Sequence, residues 1–196
     1  PLHIISSKKE VNDDDDISLL NLLLTCKDIN VNSTTKFKST PLHIACRKYH
    51  LDIVNALLKH LKIEINQADN YGATPLFIAC QNGHLKVVNV LLKHPKINVN
   101  QPMERGQTPL YIACYNDNLD IVNVLLQSSK IEINQPMQDG ATPLHAACDK
   151  GNLEIVEALL GQPTIEVDQP MNEGWTPLHI ACQEGHVNVV RVLLYA

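Results

Sequence analysis

Basic charge, long apolar runs and aromatic side chains are all scarce in this sequence. Sixteen lysines and arginines stand against twenty-one aspartates and glutamates, a net charge of −5, with a pI near 6.0. A surface that tracks phosphates carries a basic surplus, so nucleic acid is not expected as a partner. No apolar run approaches the roughly 18 residues that cross a bilayer. No signal-like order of basic, apolar and small residues opens the chain at Pro1. Direct membrane insertion is not expected, and the reading is of a soluble intracellular protein, in cytoplasm or nucleus. The patterns of catalysis are missing as well: no Ser/His/Asp set, paired acid, phosphate-binding loop or dinucleotide glycine pattern stands out. The run Asp13 to Asp16 lacks the alternate spacing and distal glutamate of a calcium loop and reads as a solvated acidic turn. No catalytic residue, metal or cofactor is expected. The balance of 44% apolar and 19% charged residues over 196 positions is nonetheless that of a chain with a buried core.

What is abundant is repetition, at a period of 34. Thr-Pro-Leu-His-Ile-Ala-Cys at Thr40 to Cys46 returns, with one or two changes each time, at Thr74, Thr108, Thr142 and Thr176. Leu51, Ile53, Val54, Leu57 and Leu58 keep the same step, recurring from Leu85, Leu119, Leu153 and Val187. A degenerate further copy begins at Pro1-Leu2-His3-Ile4, loses register across Ser6 to Asp16 through six inserted residues, and regains it at Ile17. The expectation is one domain over 1–196, with units at about 1–39, 40–73, 74–107, 108–141, 142–175 and 176–196.

Within a unit, Thr-Pro suits an N-cap and first helical position, because proline gives up only an amide that a helix start leaves unpaired. Glycine near Gly83, Gly151 or Gly185 supplies the left-handed backbone that closes this short helix. Apolar residues at spacings of three and four then predict a second helix, stopped with the help of Pro95 and Pro163. The polar remainder, such as Lys96 to Gln107, reads as an extended loop or short hairpin. So small a helix pair cannot bury its own apolar face, so neighbouring units must stack; six of them predict an all-α solenoid on the order of 50–60 Å long.

Thr-Pro-Leu-His-x-Ala, the pairs Gly83-His84 and Gly185-His186, the Val-Val or Ile-Val with Leu-Leu, and the Val-Asn or Ile-Asn before each loop together resemble the ankyrin-repeat family over essentially the whole chain. The family's usual unit is 33 residues. The additional residue here falls within Lys93 to Asn100, so the exit of the second helix should differ from the usual one. Gly72, Gly106, Gly140 and Gly174 keep the family's loop-tip glycine, whereas Lys38 replaces it, which predicts a distorted tip.

Cys46, Cys80, Cys114, Cys148 and Cys182 occupy one slot in successive units. Their expected spacing of roughly 9–10 Å exceeds the about 7 Å that a disulfide spans, so they read as buried, reduced thiols. Cys26 lies outside the row and is expected to be partly exposed. His43, His145 and His179 precede a cysteine by three residues, but Phe77 and Tyr111 fill the same slot elsewhere, so no constant metal cluster forms. The resemblance implies instead an imidazole hydrogen-bonding near the helix start, and structural roles for His50, His84 and His186 in the turns.

The resemblance also implies non-enzymatic binding of a polypeptide partner by loop tips and the ends of first helices, which line the concave side. Carried onto this sequence, the tips supply Lys36, Phe37, Asn70, Tyr71, Glu104, Arg105, Asp139, Glu173 and Trp175. The helix ends supply Arg47, Lys48, Gln81, Asn82, Tyr115, Asn116, Asp149, Lys150, Gln183 and Glu184, with Tyr49 beside them. Of one tryptophan, five tyrosines and two phenylalanines, most fall in or beside these slots, as hot-spot residues would. Charge grades from Lys36, Lys38, Arg47 and Lys48 to Glu173 and Glu184, which predicts a partner acidic at one end and basic at the other. A second reading is the substrate-recruiting segment of a larger enzyme or pathogen effector. Without polar capping at either end, the chain reads as part of a longer array, and self-association through the uncapped ends is also expected.

Overall fold

A computed structural model describes residues 29–196. The expectations placed on Pro1 to Ile4, on the insertion Ser6 to Asp16 and on Cys26 lie outside them. The chain divides into two compact units, Pro1–Asn98 and Val99–Ala196. The first holds α1 (Pro41–Arg47), α2 (Leu51–Leu58), α3 (Pro75–Gln81) and α4 (Leu85–Leu92). The second holds α5 (Pro109–Tyr115), α6 (Leu119–Leu126), α7 (Pro143–Lys150), α8 (Leu153–Leu160), α9 (Pro177–Gln183) and α10 (Val187–Leu193). Among the described residues every regular element is a helix.

Each first helix starts as its sequence dictates. Thr40, Thr74, Thr108 and Thr142 hold extended N-cap backbone, and their hydroxyls accept the amides of His43, Phe77, Tyr111 and His145 at 3.3, 3.1, 3.1 and 3.5 Å. Each is followed by proline at the first helical position, whose fixed φ suits a helix start. The helix closes on a left-handed residue at one recurring slot, filled by Tyr49 (φ 60), Gly83 (φ 71), Asp117 (φ 62), Gly151 (φ 69) and Gly185 (φ 76). Two of these five are not glycine, so the turn is imposed by what surrounds it. After Tyr49, Gly83, Asp117 and Gly185 the next amide reaches back to the helix, as His50 does to the Ala45 carbonyl at 3.0 Å.

The second helices bury one stripe. Ile53, Val54 and Leu57 in α2, Val87, Val88 and Leu91 in α4, Ile121, Val122 and Leu125 in α6, and Ile155, Val156 and Leu159 in α8 are at most 1% exposed. Each such side chain contributes about 1.5–3 kcal/mol on burial. Within each unit first helices pack on first helices, α1 on α3 and α5 on α7 on α9, and second on second, α2 on α4 and α6 on α8 on α10.

Pro95 and Pro163 do not stop the second helices. Leu61 and Ser129 occupy the same slot, yet α2 and α6 end at the equivalent residue. All four helices close through one turn, in which His60, His94, Ser128 and Gln162 donate their amides to Leu57, Leu91, Leu125 and Leu159 at 3.0 Å.

Beyond that turn runs an asparagine ladder. The amide groups of Asn32, Asn66, Asn100 and Asn134 donate to the carbonyls of Lys62, Lys96, Lys130 and Thr164 at 2.6–2.7 Å. Their side-chain oxygens accept from the amides of Glu64, Asn98, Glu132 and Glu166 at 2.9–3.0 Å. Each asparagine thus satisfies two backbone groups of the next repeat that a loop would otherwise leave to water.

The projecting loops contain no strand. Each is a five-residue closed turn, joined by a backbone bond such as Asp69 N–H to Ala73 carbonyl at 3.0 Å or Met103 N–H to Gln107 carbonyl at 2.9 Å. The Lys38 tip is not distorted. Lys38 takes the left-handed backbone itself (φ 57), and its amide donates to Thr35 at 2.9 Å as Gly106 donates to Met103. Cys182 is exposed rather than buried, because among the described residues no helix packs over its side of α9, whereas Cys46, Cys80, Cys114 and Cys148 are covered.

Candidate partner-binding face

The histidine slot ties first helix to loop tip. Thr40 N–H donates to His43 Nδ1 at 3.1 Å, so Nδ1 is unprotonated and Nε2–H donates to the Ala73 carbonyl, 3.0 Å away and 30 residues on. His145 repeats this with Thr142 at 3.2 Å and the Trp175 carbonyl at 3.1 Å. Burial first of all holds both imidazoles below their ordinary pKa, against the pull of the carbonyls they donate to. His84 and His186 sit in the turns and donate to the carbonyls of Arg47 and Asp149 at 3.2 and 3.1 Å. These histidines bond at the helix start and in the turns, and in addition tie one repeat to the next.

Loop tips are stitched to their neighbours. Asn70 N–H donates to Phe37 at 3.0 Å, Gln138 N–H to Arg105 at 3.1 Å and Asn172 N–H to Asp139 at 2.9 Å. Their side-chain amides reach the carbonyls of Lys36, Glu104 and Gln138. Asn70, a candidate contact residue, therefore also serves this ladder. Asn82 caps its own helix through Ile78 at 2.8 Å, and Gln183 donates to Glu184 at 3.0 Å.

The remaining candidates point outward. In the first unit Lys36, Phe37, Arg47, Lys48, Tyr49, Tyr71 and Gln81 are exposed, as are Asn70 and Asn82. The Lys36 ammonium stands 4.9 Å from the Phe37 ring centre, and Tyr49 lies against His84, ring centres 5.0 Å apart. In the second unit Glu104, Arg105, Asn116, Glu173, Trp175, Gln183 and Glu184 are exposed; Trp175 leans edge-on against His179 at 6.0 Å.

One group of candidates converges. Tyr115, Asp139 and Asp149 line a cavity of about 250 Å³ together with Tyr111, Ala141, His145, Ala146, Met171 and Ile180. The rings of Tyr111 and Tyr115, one helical turn apart, lie nearly parallel with centres at 6.3 Å. Burial first, then the Asp139 and Asp149 carboxylates, push the Tyr111 hydroxyl up to about 12. Lys150 lies beside the cavity, its ammonium 2.9 Å from Asp149 and 4.0 Å from the Tyr115 ring centre, and the Asp149 bond holds its pKa above the usual lysine value. Tyr111, Met171 and Ile180 escaped the sequence reading because they occupy framework slots; the one signal was that Tyr111 replaces histidine.

The four buried thiols of the cysteine row are poor nucleophiles. Burial pushes the thiols of Cys46, Cys80, Cys114 and Cys148 well up, the last to about 12. They stay protonated at neutral pH, and the thiolate is the reactive form. Among the described residues no three His, Cys, Asp or Glu side chains converge as metal ligands, and no helix is long and apolar enough to cross a membrane.

A family model described as ankyrin repeats (3 copies) matches residues 2–103 and 131–196, and a second, ankyrin repeats (many copies), matches residues 82–126. The chain belongs to the ankyrin-repeat family. Among curated proteins none matches it. Ankyrin repeats serve in general as protein-interaction modules and non-catalytic scaffolds, so protein is the partner class this ankyrin chain carries.

Proposed function

We propose that these repeats form one interaction domain that holds a polypeptide along the row of loop tips and first-helix ends, without catalysis of its own. The observation that carries this reading is the cavity between α5, α7 and α9, where tip residues (Asp139, Met171) and first-helix residues (Tyr111, Tyr115, Asp149) converge on one recess. The framework elsewhere is occupied with itself: threonine caps, histidine ties and the asparagine ladder satisfy backbone groups. That leaves the outward variable side chains for a partner. Exposed Phe37, Tyr71, Tyr115 and Trp175 supply the aromatic contact area that dominates protein interfaces.

The balance of charge differs between the units, with Lys36, Arg47 and Lys48 outward in the first, whereas in the second Glu104, Asp139, Asp149, Glu173 and Glu184 outnumber Arg105 and Lys150. The expected partner is acidic where it meets the former and basic where it meets the latter. Affinity capture with the wild type beside a Tyr71→Ala, Tyr115→Ala, Trp175→Ala variant tests the reading. A protein retained by the wild type and lost from an equally folded variant supports it; identical captures overturn it.

A further inference from the structure

We infer that the cavity walled by Tyr111, Tyr115, Asp139 and Asp149 is a seat for a single basic side chain, the ammonium or guanidinium of a lysine or arginine on the partner polypeptide. The inference rests on the proposed function for its source of ligand, but its chemistry is local.

Size comes first. At about 250 Å³ the recess falls below the roughly 300–1,000 Å³ of pockets that enclose small organic ligands, and suits one long side chain entering end-on. Its walls then select the chemistry. Two tyrosine rings stacked nearly parallel present electron-rich faces, and an aromatic face attracts a cation held within about 6 Å of its centre. Two carboxylates line the same space, and both act on the Tyr111 hydroxyl, raising its pKa after burial has done so. His145, the remaining titratable group in the wall, is held toward its neutral form by burial, so it sets no charge against an entering cation.

The protein itself supplies the second observation. Lys150 already lays its ammonium on Tyr115 and Asp149, at 4.0 and 2.9 Å, which shows that this pair of groups accepts a cation in their present positions. Lys150 is an exposed side chain at a helix end, anchored by this contact alone among the bonds and ring contacts described for it, so a partner cation can displace it. Lys150 is then a built-in competitor, and its removal should strengthen binding. A purely structural ion pair predicts no such gain.

The test uses the whole chain and defined probes: the Nα-acetyl N-methylamides of lysine and arginine, with the norleucine derivative as the uncharged analogue, titrated against ¹⁵N-labelled protein. Saturable shifts at Tyr111, Tyr115, Asp139 and Asp149 are expected with the two cations and not with norleucine. Asp139→Asn with Asp149→Asn, an isosteric change at exposed and half-exposed positions, should weaken the lysine probe by about ten-fold or more, and Lys150→Ala should tighten it several-fold. Equal shifts from norleucine, no shifts at these residues, or a Lys150→Ala variant that binds no better would each overturn the inference. Should the asparagine pair fail to fold, the Lys150→Ala titration decides. A chain that binds the cations but captures no protein defeats the proposed function alone; one that captures a protein through Tyr71, Tyr115 and Trp175 but ignores the cations defeats the cation seat alone.

Discussion

The fifth and sixth repeats are spelled almost alike, Thr-Pro-Leu-His-Ala-Ala-Cys against Thr-Pro-Leu-His-Ile-Ala-Cys, yet the same slots meet different surroundings. A Cβ added at Gly140 would lie 2.9 Å from Met171 Cα and Asn172 N, backbone atoms of the next tip; at Gly174 it would meet nothing within 4 Å. Cys148 is buried and Cys182 exposed. The contrast teaches that a repeat residue draws much of its energetic weight from the neighbouring module, over and above what its own letter and dihedral angles set.

Four changes would break or sharpen that contrast. The largest effect is expected from Gly140→Ala, which combines a backbone clash with a left-handed φ of 88. Together these should cost roughly 2–4 kcal/mol in urea unfolding, against about 1–2 for Gly174→Ala, where the dihedral alone is at issue. Equal losses would mean that contact with the next tip contributes nothing. Next, Cys148→Ser buries a hydroxyl in an apolar slot and should lose about 1–3 kcal/mol, whereas Cys182→Ser should change the thermal midpoint little.

A smaller and opposite effect is expected at Lys38. The turn there equals its glycine counterparts, so Lys38→Gly should stabilise by about 1 kcal/mol through relief of left-handed strain, offset in part by the greater freedom of glycine in the unfolded chain. Destabilisation instead would show that the lysine side chain secures this tip.

The last is a slope rather than a step. His43 and His145 have folded-state pKa values below the ordinary 6.5, so the unfolded chain takes up protons first as pH falls. Stability from these two histidines is therefore complete above about pH 6.5 and is lost progressively below it, as pH falls toward the depressed folded values. The double variant His43→Phe, His145→Tyr, which borrows the residues found in that slot at Phe77 and Tyr111, should flatten the dependence between pH 7 and 5 in chemical denaturation. An unchanged slope would place the acid sensitivity elsewhere.

Much of the fold was legible because repetition amplifies weak local signals: Thr-Pro starts, glycine turns and apolar stripes each recur in register. The reading failed where one letter was taken as cause. Proline predicts the end of the second helices, but Leu61 and Ser129 stand in the same place without moving the helix end, since a backbone turn and the asparagine ladder fix it. Lysine for glycine at position 38 suggested distortion, but bonds at both ends of the tip enforce the turn. The candidate face was legible only as a list of outward slots; that Tyr115, Asp139 and Asp149 share a recess with Tyr111 was not, because a helix, the tip that follows it and the next repeat must fold together to enclose it.

The sequence by itself determined the unit: the 34-residue period, where helices begin, which stripe is apolar, and the family. Only the tertiary structure decided which repeated residues are buried, which asparagines and histidines serve as ties, and where acids and aromatics meet. Periodic spacing fixes the conformation of a module from contacts within it, whereas burial, strain and charge depend on distances to the next module, 30–37 residues away along the chain.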